Sequence, residues 1–533
     1  MPDYAGPPHE PARGARASDL IGRIAARAAS HPGTTALRDL GGPAREPESL
    51  DYAGLATSIE HAAAQIRELD PPGPIGVACA SPLAFAVAAL GSIAAAVPFM
   101  PLDPRDPDDR PVHLIADTAT SEHWTPEGEI GPALTLLRRR DPPAAERPLP
   151  KGVVALQRTS GTTGEPKTVL TTGDNLEAAY TQAADAYGLC ESDRFVSWTP
   201  LHHSMGLMNG LLLPLRLGAT STLLAPDAFA ADPALWLEAL DRYRATYTSA
   251  PVFGFSHCLD RIPDPRIAGL DLSSLRVART AAGPLWADVL ERFTARFAAA
   301  GLRPTALRPS YGLTEATLFV TAAREGATPP PRPAAAAWRG AAVAAAGTPV
   351  ADTEIAVVEP ETGRALEPGR IGEITVRGPQ VAAIADEPER TGPLRTGDLG
   401  VIEDGVLWVV GRRRDLVKIR GVGHSLAAIE HAVAGAAGQG RTVALAAAGP
   451  AGEELWIVAE CADETAAETA ANDLARATAK ATGVRAERVL IVREGRIPVT
   501  ASGKPRRGEC LRLVLEGRVD LLAARTAGPR RQR

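Results

Sequence analysis

Apolar residues fall in short unbroken runs between longer alanine-rich stretches, the pattern of buried strands alternating with helices. Ile75-Gly76-Val77-Ala78-Cys79 has the length of a buried strand. Ser81-Pro82 then offers an N-cap and a first helical residue. A helix over Leu83–Val97 is predicted, with a second strand near Phe99-Met100. Val153-Val154-Ala155-Leu156 reads as another strand. The alternation runs from about residue 50 to 320 and predicts an α/β protein. Pro71 to Leu102 carries no charged residue and is long enough to suggest a membrane span. Pro82 and Pro98 interrupt it, and alanine and glycine dominate over leucine, so a buried βαβ unit is expected instead.

The pattern changes after residue 320. Residues 322–347, with Pro329-Pro330-Pro331, are low in complexity and read as a surface loop or disordered excursion. Strand-like segments come next: "TEIAVVE", a turn over 359–363, and "GEITVRG". "LGVIEDGVLWVVGRRRD" reads as a hairpin turning at Asp404-Gly405. In the remaining piece a helix, "DETAAETAANDLARATAKATG", lies between strands "EELWIVAEC" and "ERVLIVRE". The expected organisation is a domain over 1–411, with 1–17 frayed, and a small α+β domain over 412–533. No internal repeat is evident.

Composition narrows the class. The 533 residues are 45% hydrophobic and 23% charged, as in globular proteins. The net charge of -6 offers no general attraction to nucleic acid or anionic membrane. Five cysteines lack CxxC or CxH spacing, which argues against structural zinc and fits a reducing cytoplasm. No signal peptide is recognised at the N-terminus, and a cytoplasmic location without a membrane span is expected.

Candidate chemistry begins at Thr159-Ser160-Gly161-Thr162-Thr163-Gly164-Glu165-Pro166-Lys167. A glycine- and hydroxyl-rich loop leaving a strand, with a lysine at its end, can cradle a polyphosphate. Its spacing is not that of a Walker loop, and such a cluster standing alone is usually a solvated linker. Four further stretches lie behind it in order: "YGLTEAT" from Tyr311, "RTGDLG" from Arg395, "GRRRD" from Gly411, and "PVTASGKPRR" carrying Lys504.

Together these motifs resemble the adenylate-forming enzymes (acyl-CoA synthetases, peptide-synthetase adenylation domains and luciferases) over about residues 18–515. The resemblance implies a large N-terminal α/β domain of two sheet-based subdomains plus a small β-barrel-like part. A small mobile α+β C-terminal domain would follow, hinged at Arg414. It also implies ATP and Mg²⁺ as cofactors. Thr159, Ser160, Gly161, Thr162, Thr163, Gly164 and Lys167 would wrap the phosphates, and Thr163 with Glu315 would hold Mg²⁺. Ala282, Gly283, Tyr311, Gly312 and Thr314 would border the nucleotide, with Tyr311 stacked on adenine. Asp398 would accept from the ribose hydroxyls and Arg412 would contact ribose or phosphate. Lys504 would swing in during adenylation and out afterwards.

Within that superfamily the chain is most similar to fatty acyl-AMP ligases, through "WTPLHHSMGLMNGLLLPLRLGAT" over 198–220. His203 would sit beside the substrate carboxylate as a catalytic residue. Ser204, Gly206 and, after domain rotation, Gly421 would line the acyl or acceptor pocket. Ser204 replaces an aspartate, the adenine-side "NGAEP" pattern appears as Thr280-Ala281-Ala282-Gly283-Pro284, and Thr168 replaces a glycine. The chain between Thr317 and Thr396 is short for that branch, while "PLDPRDPDDRP" over 101–111 is similar to peptide-synthetase domains. These departures gather on the acyl and acceptor side. The partners expected are a small carboxylic acid and an acyl carrier protein, with CoA or an amine as alternative acceptors. A non-catalytic nucleotide-binding homologue is the remaining alternative.

Overall fold

The computed structural model describes residues 18–41, 46–105, 111–117, 124–130, 134–140, 149–159, 167–326, 332–333, 342–387, 390–419, 422–436, 438, 440–449, 452–499 and 505–526. Two large sheets dominate. One has eight strands, with Thr168–Thr172, Val153–Arg158, Phe99–Pro101, Ile75–Ala78 and His113–Ala116 at its centre. The other has nine, in which Leu307–Tyr311, Val277–Ala281, Tyr247–Pro251, Arg194–Ser197 and Thr220–Leu223 are successive neighbours. The four pairings among those five are all parallel.

The uncharged segment folds as the expected βαβ unit. Ile75–Ala78 pairs in parallel with Phe99–Pro101, and the helix between them spans Pro82–Ala94. Ser81 caps that helix, accepting from the Ala84 amide at 3.4 Å. The helix stops three residues short of the expected Val97, before the positive φ of 59° at Ala96. No helix among the described residues is long and apolar enough to cross a membrane.

A four-stranded antiparallel sheet, Glu354–Val358, Gly372–Arg377, Leu394–Glu403 and Val406–Arg412, stands where a barrel-like part is expected. Its last two strands form the hairpin, and Asp404 and Gly405 turn it with φ of 50° and 74°. A separate apolar core then gathers Val417, Leu426, Ile457, Leu474 and Ile491. Here the strands Gly452–Cys461 and Arg488–Arg493 run parallel with the helix Ala467–Thr482 between them.

Two expectations change. Much of the 322–347 stretch lies outside the described residues, but Ala344, Ala345 and Ala346 are buried, so this end is not a surface loop. Backbone bonds explain it: the Ala346 amide donates to the Leu407 carbonyl at 2.7 Å, and its carbonyl accepts from Thr321 Oγ1 at 2.6 Å. Small side chains let this segment lie flat against the hairpin. The fold also begins earlier than the alternation predicts, with a helix Ser18–Ser30 and a strand Thr35–Asp39 at the nine-stranded sheet. Residues 1–17 lie outside the described residues.

Candidate active site

The C-terminal ends of parallel strands, where backbone amides are unpaired, are the usual place for ligands in α/β sheets. Ala282, Gly283, Tyr311, Gly312 and Thr314 follow or end two such strands. Strand Val277–Ala281 runs into Ala282 at φ 63° and Gly283 at φ 146°, so the backbone leaves the sheet in a conformation that favours glycine. Strand Leu307–Tyr311 ends on the tyrosine that opens "YGLTEAT". The chain then turns through a short 3₁₀ helix, Thr314–Ala316, with Thr317 and Leu318 at φ of 45° and 83°. Two successive non-glycine residues at positive φ mark a turn held in shape by its surroundings.

Tyr311, Asp398 and Arg412 form one cluster. The Tyr311 hydroxyl donates to Asp398 Oδ2 at 2.8 Å, and Arg412 Nε donates to Asp398 Oδ1 at 2.9 Å. Tyr311 and Asp398 are buried, while the Arg412 side chain is 49% exposed. Burial, reinforced by the Asp398 charge, raises the Tyr311 hydroxyl well above its ordinary pKa, so it remains a donor. The hairpin brings the pair together through a bulge. Glu403 pairs with Val406 and Gly400 with Val409, but beyond the shift Asp398 stands directly opposite Arg412. The extra residue in the second strand is Val410, whose insertion re-aims Gly411 and Arg412.

Glu315 lies in the 3₁₀ turn. Burial raises its carboxyl above the ordinary value of 4.5, and the Asp398 charge adds to this, while Arg412 and Lys167 oppose it. Such a carboxylate gains from a bound cation. Among the described residues no cluster of three or more His, Cys, Asp or Glu could hold a metal. Thr163, the predicted second ligand, lies outside the described residues, as do Ser160, Gly161, Thr162 and Gly164. The ends of their loop are pinned: the Thr159 amide donates to the Lys167 carbonyl at 2.9 Å, and the Lys167 amide to Thr159 Oγ1 at 3.1 Å. Lys167 Nζ meets Glu387 at 2.9 Å.

On the acyl side, His203 is the N-cap residue of the short helix Ser204–Gly206. A π-helical stretch, Leu207–Leu212, comes at once after it, a distortion often found at functional sites. Ser204 Oγ and Thr314 Oγ1 are 2.6 Å apart, which ties this helix to the nucleotide-side turn. Gly206 and Gly312 are both close-approach positions. A Cβ on Gly206 would lie 2.1 Å from the Pro200 carbonyl oxygen, and one on Gly312 would lie 1.6 Å from that of Leu318.

Sequence reasoning missed Gln157, Asp103 and His202. Gln157 Nε2 donates to Ser204 Oγ at 3.4 Å from the strand that feeds the phosphate loop. Its place two residues before Thr159 was the available signal. The His202 and His203 rings lie 4.5 Å apart, and His202 is 3.8 Å from Asp103 of the "PLDP" segment. Burial lowers the His202 pKa despite that carboxylate. Lys504 and Gly421 lie outside the described residues, and Arg414 is in the 3₁₀ turn Arg413–Asp415 at the end of the hairpin.

A family profile described as AMP-binding enzyme matches residues 119–384. The 4-hydroxyphenylalkanoate adenylyltransferase of Mycobacterium tuberculosis is 34% identical, over 73% of this chain and 70% of its own. The chain belongs to the adenylate-forming enzymes. A medium-chain-fatty-acid–[acyl-carrier-protein] ligase from Moorena producens is 33% identical, over 69% of each chain. A solved structure from work on fatty acyl-adenylate ligases of E. coli and L. pneumophila superposes with TM-score 0.78. It is 25% identical and covers 94% of this chain and 98% of its own. This adenylate-forming enzyme thus carries the large N-terminal and small C-terminal parts of that architecture.

Proposed function

We propose that this enzyme activates a carboxylic acid as acyl-AMP and passes the acyl group to the phosphopantetheine thiol of a carrier protein. The observation that carries the reading is the joining of Tyr311, Asp398 and Arg412 beside Glu315 at the end of the parallel sheet. Asp398 retains acceptor capacity for a vicinal diol after taking two hydrogen bonds. The ring of Tyr311, fixed by its hydroxyl, offers the wall for a nucleobase. The turn at Ala282 and Gly283 gives the purine edge a backbone without obstruction.

In adenylation a carboxylate oxygen bonds to the α-phosphorus while the bond to the β-phosphate breaks and pyrophosphate leaves. Two anions must approach, so cations decide the rate. Arg412 and Lys504 would stabilise the charge at the α-phosphate, and the 159–167 loop would hold the leaving group. Glu315 and Thr163 would hold Mg²⁺; a hydroxyl and a buried carboxylate are the hard oxygen donors it takes, and it would neutralise phosphate charge. His203 would orient the attacking carboxylate. In the second half-reaction a thiol attacks the acyl carbon, its proton passes to solvent, and AMP leaves with the former carboxylate oxygen. Rotation of residues 412–533 about Arg414 would exchange Lys504 for the thiol entrance near Gly421.

The "HHSMG" segment and a relative named for carrier-protein ligation support the acyl reading. The test is ATP–pyrophosphate exchange across aliphatic, aryl and small acids, followed by transfer to holo carrier protein, CoA or an amine. Acid-dependent exchange with transfer to the carrier protein is expected. ATP binding without exchange for any acid would leave a non-catalytic homologue.

A further inference from the structure

His202 meets a carboxylate from the other large sheet. Its segment follows strand Arg194–Ser197 of the nine-stranded sheet, and Asp103 follows strand Phe99–Pro101 of the eight-stranded one. His202 Nε2 and Asp103 Oδ2 approach to 3.8 Å. Asp103 is itself fixed. Arg105 donates to it through Nε, Nη2 and its backbone amide, each at 3.0 Å. Arg105 Nη1 also lies 3.5 Å from Asp227 of the helix Pro226–Ala231, back on the nine-stranded side.

The charges of this group follow from its surroundings. Burial opposes ionisation of Asp103, yet the Arg105 hydrogen bonds hold its carboxyl below the ordinary value, so it is an anion. The His202 side chain is 14% exposed, and burial keeps its ring neutral. A neutral imidazole beside a carboxylate carries its proton on the nearer nitrogen, here Nε2. That nitrogen makes no hydrogen bond among the described residues. Buried ring nitrogens are usually hydrogen-bonded, and a contact of 3.8 Å orients a ring without locking it.

The neighbour so affected is His203. The two rings lie 4.5 Å apart and are tilted by 53°. The backbone around them has little freedom. The His203 amide donates to the Pro200 carbonyl at 3.0 Å, and the Leu207 amide to the His203 carbonyl at 2.9 Å. Gly206 packs so closely on the Pro200 carbonyl oxygen that no Cβ would fit. With the main chain fixed, side-chain torsions decide where the His203 ring stands, and the His202 ring bounds them.

We propose that His202 and Asp103 are positioning residues for adenylation: Asp103 sets the tautomer and tilt of His202, and His202 sets the plane of His203. This rests on the acyl-AMP reading above, in which His203 orients the attacking carboxylate. That attack needs an oxygen aligned with the α-phosphorus, and a small misplacement is costly. Once acyl-AMP has formed the alignment is no longer needed, so the pair serves the first half-reaction and not the second.

The test compares ATP–pyrophosphate exchange, with an acid that the native enzyme accepts, and carrier-protein loading from supplied acyl-AMP. His202→Phe keeps a ring and loses both nitrogens. It should lower the kcat of exchange about 10-fold, with the KM for ATP and the loading rate each within about twofold of native. His202→Gln, which keeps a donor near the place of Nε2, should restore most of the loss. Asp103→Ala should lower exchange by a similar factor in the native background and no further in His202→Phe, because both act along one path. Unchanged exchange in Asp103→Ala, additive losses in the double variant, or equal losses in both half-reactions overturn the assignment and leave the acyl-AMP reading intact. If His202→Phe fails to fold, the split between half-reactions in Asp103→Ala decides alone. Exchange with no acid at all overturns the acyl-AMP reading, and this assignment falls with it.

Discussion

At the scale of single residues, Tyr311 and Glu315 separate positioning from charge. Removing the Tyr311 hydroxyl deletes one hydrogen bond to Asp398 without opening a large cavity. Tyr311→Phe is therefore expected to raise the KM for ATP about 5- to 10-fold, the equivalent of about 1–1.5 kcal/mol, with little change in KM for the acid. Initial-rate kinetics in both substrates checks it. Glu315 has a carboxyl held above 4.5 by burial. In the window just above that value the folded state binds more protons than the unfolded one, so stability falls as pH rises through it. Glu315→Gln should remove that fall, leaving a higher Tm at neutral pH, while lowering exchange about 100-fold or more. A variant no more stable than the parent at neutral pH would contradict the electrostatic reading. These residues were legible from their motifs. Gln157 was not singled out, because it sits in a run whose pattern says only that it is in a strand.

Among the elements, the turn after strand Leu307–Tyr311 is the most constrained. Gly312→Ala would place a methyl against the Leu318 carbonyl, at 1.6 Å in the present backbone. Backbone must move to admit it, and a loss of about 3 kcal/mol is expected, read as a fall in the urea midpoint. Unchanged stability would mean that this turn is slack. The βαβ unit and the hairpin were readable because capping, proline and turn residues agree with the hydrophobic period. The bulge at Val410 was not, since nothing in "VLWVVGRRRD" tells which residue is unpaired. Yet that one-residue shift decides whether Arg412 faces Asp398. The buried end of 322–347 was misjudged for a related reason: an alanine run looks like low complexity until a neighbouring hairpin offers it backbone bonds.

For the whole molecule, a contact of His431 helps tie the C-terminal part to the rest. The His431 ring stacks on Trp286 at 4.4 Å, and its Nε2 lies 2.9 Å from Asp288 Oδ1. Its loss should free alternative orientations. His431→Ala is expected to raise proteolytic cleavage around residues 412–415 about 5-fold, corresponding to about 1 kcal/mol. Equal cleavage would show that other contacts hold the orientation. Lys504→Ala should depress acyl-AMP formation about 100-fold while sparing transfer from supplied acyl-AMP; equal loss in both would remove its assigned part. Adenylation itself is tested most directly by oxygen tracing. With a carboxyl-¹⁸O-labelled acid that supports exchange and holo carrier protein as acceptor, mass spectrometry of the products should find one ¹⁸O in AMP and none in pyrophosphate. Label in inorganic phosphate, or AMP without label, would contradict attack of the carboxylate on the α-phosphorus.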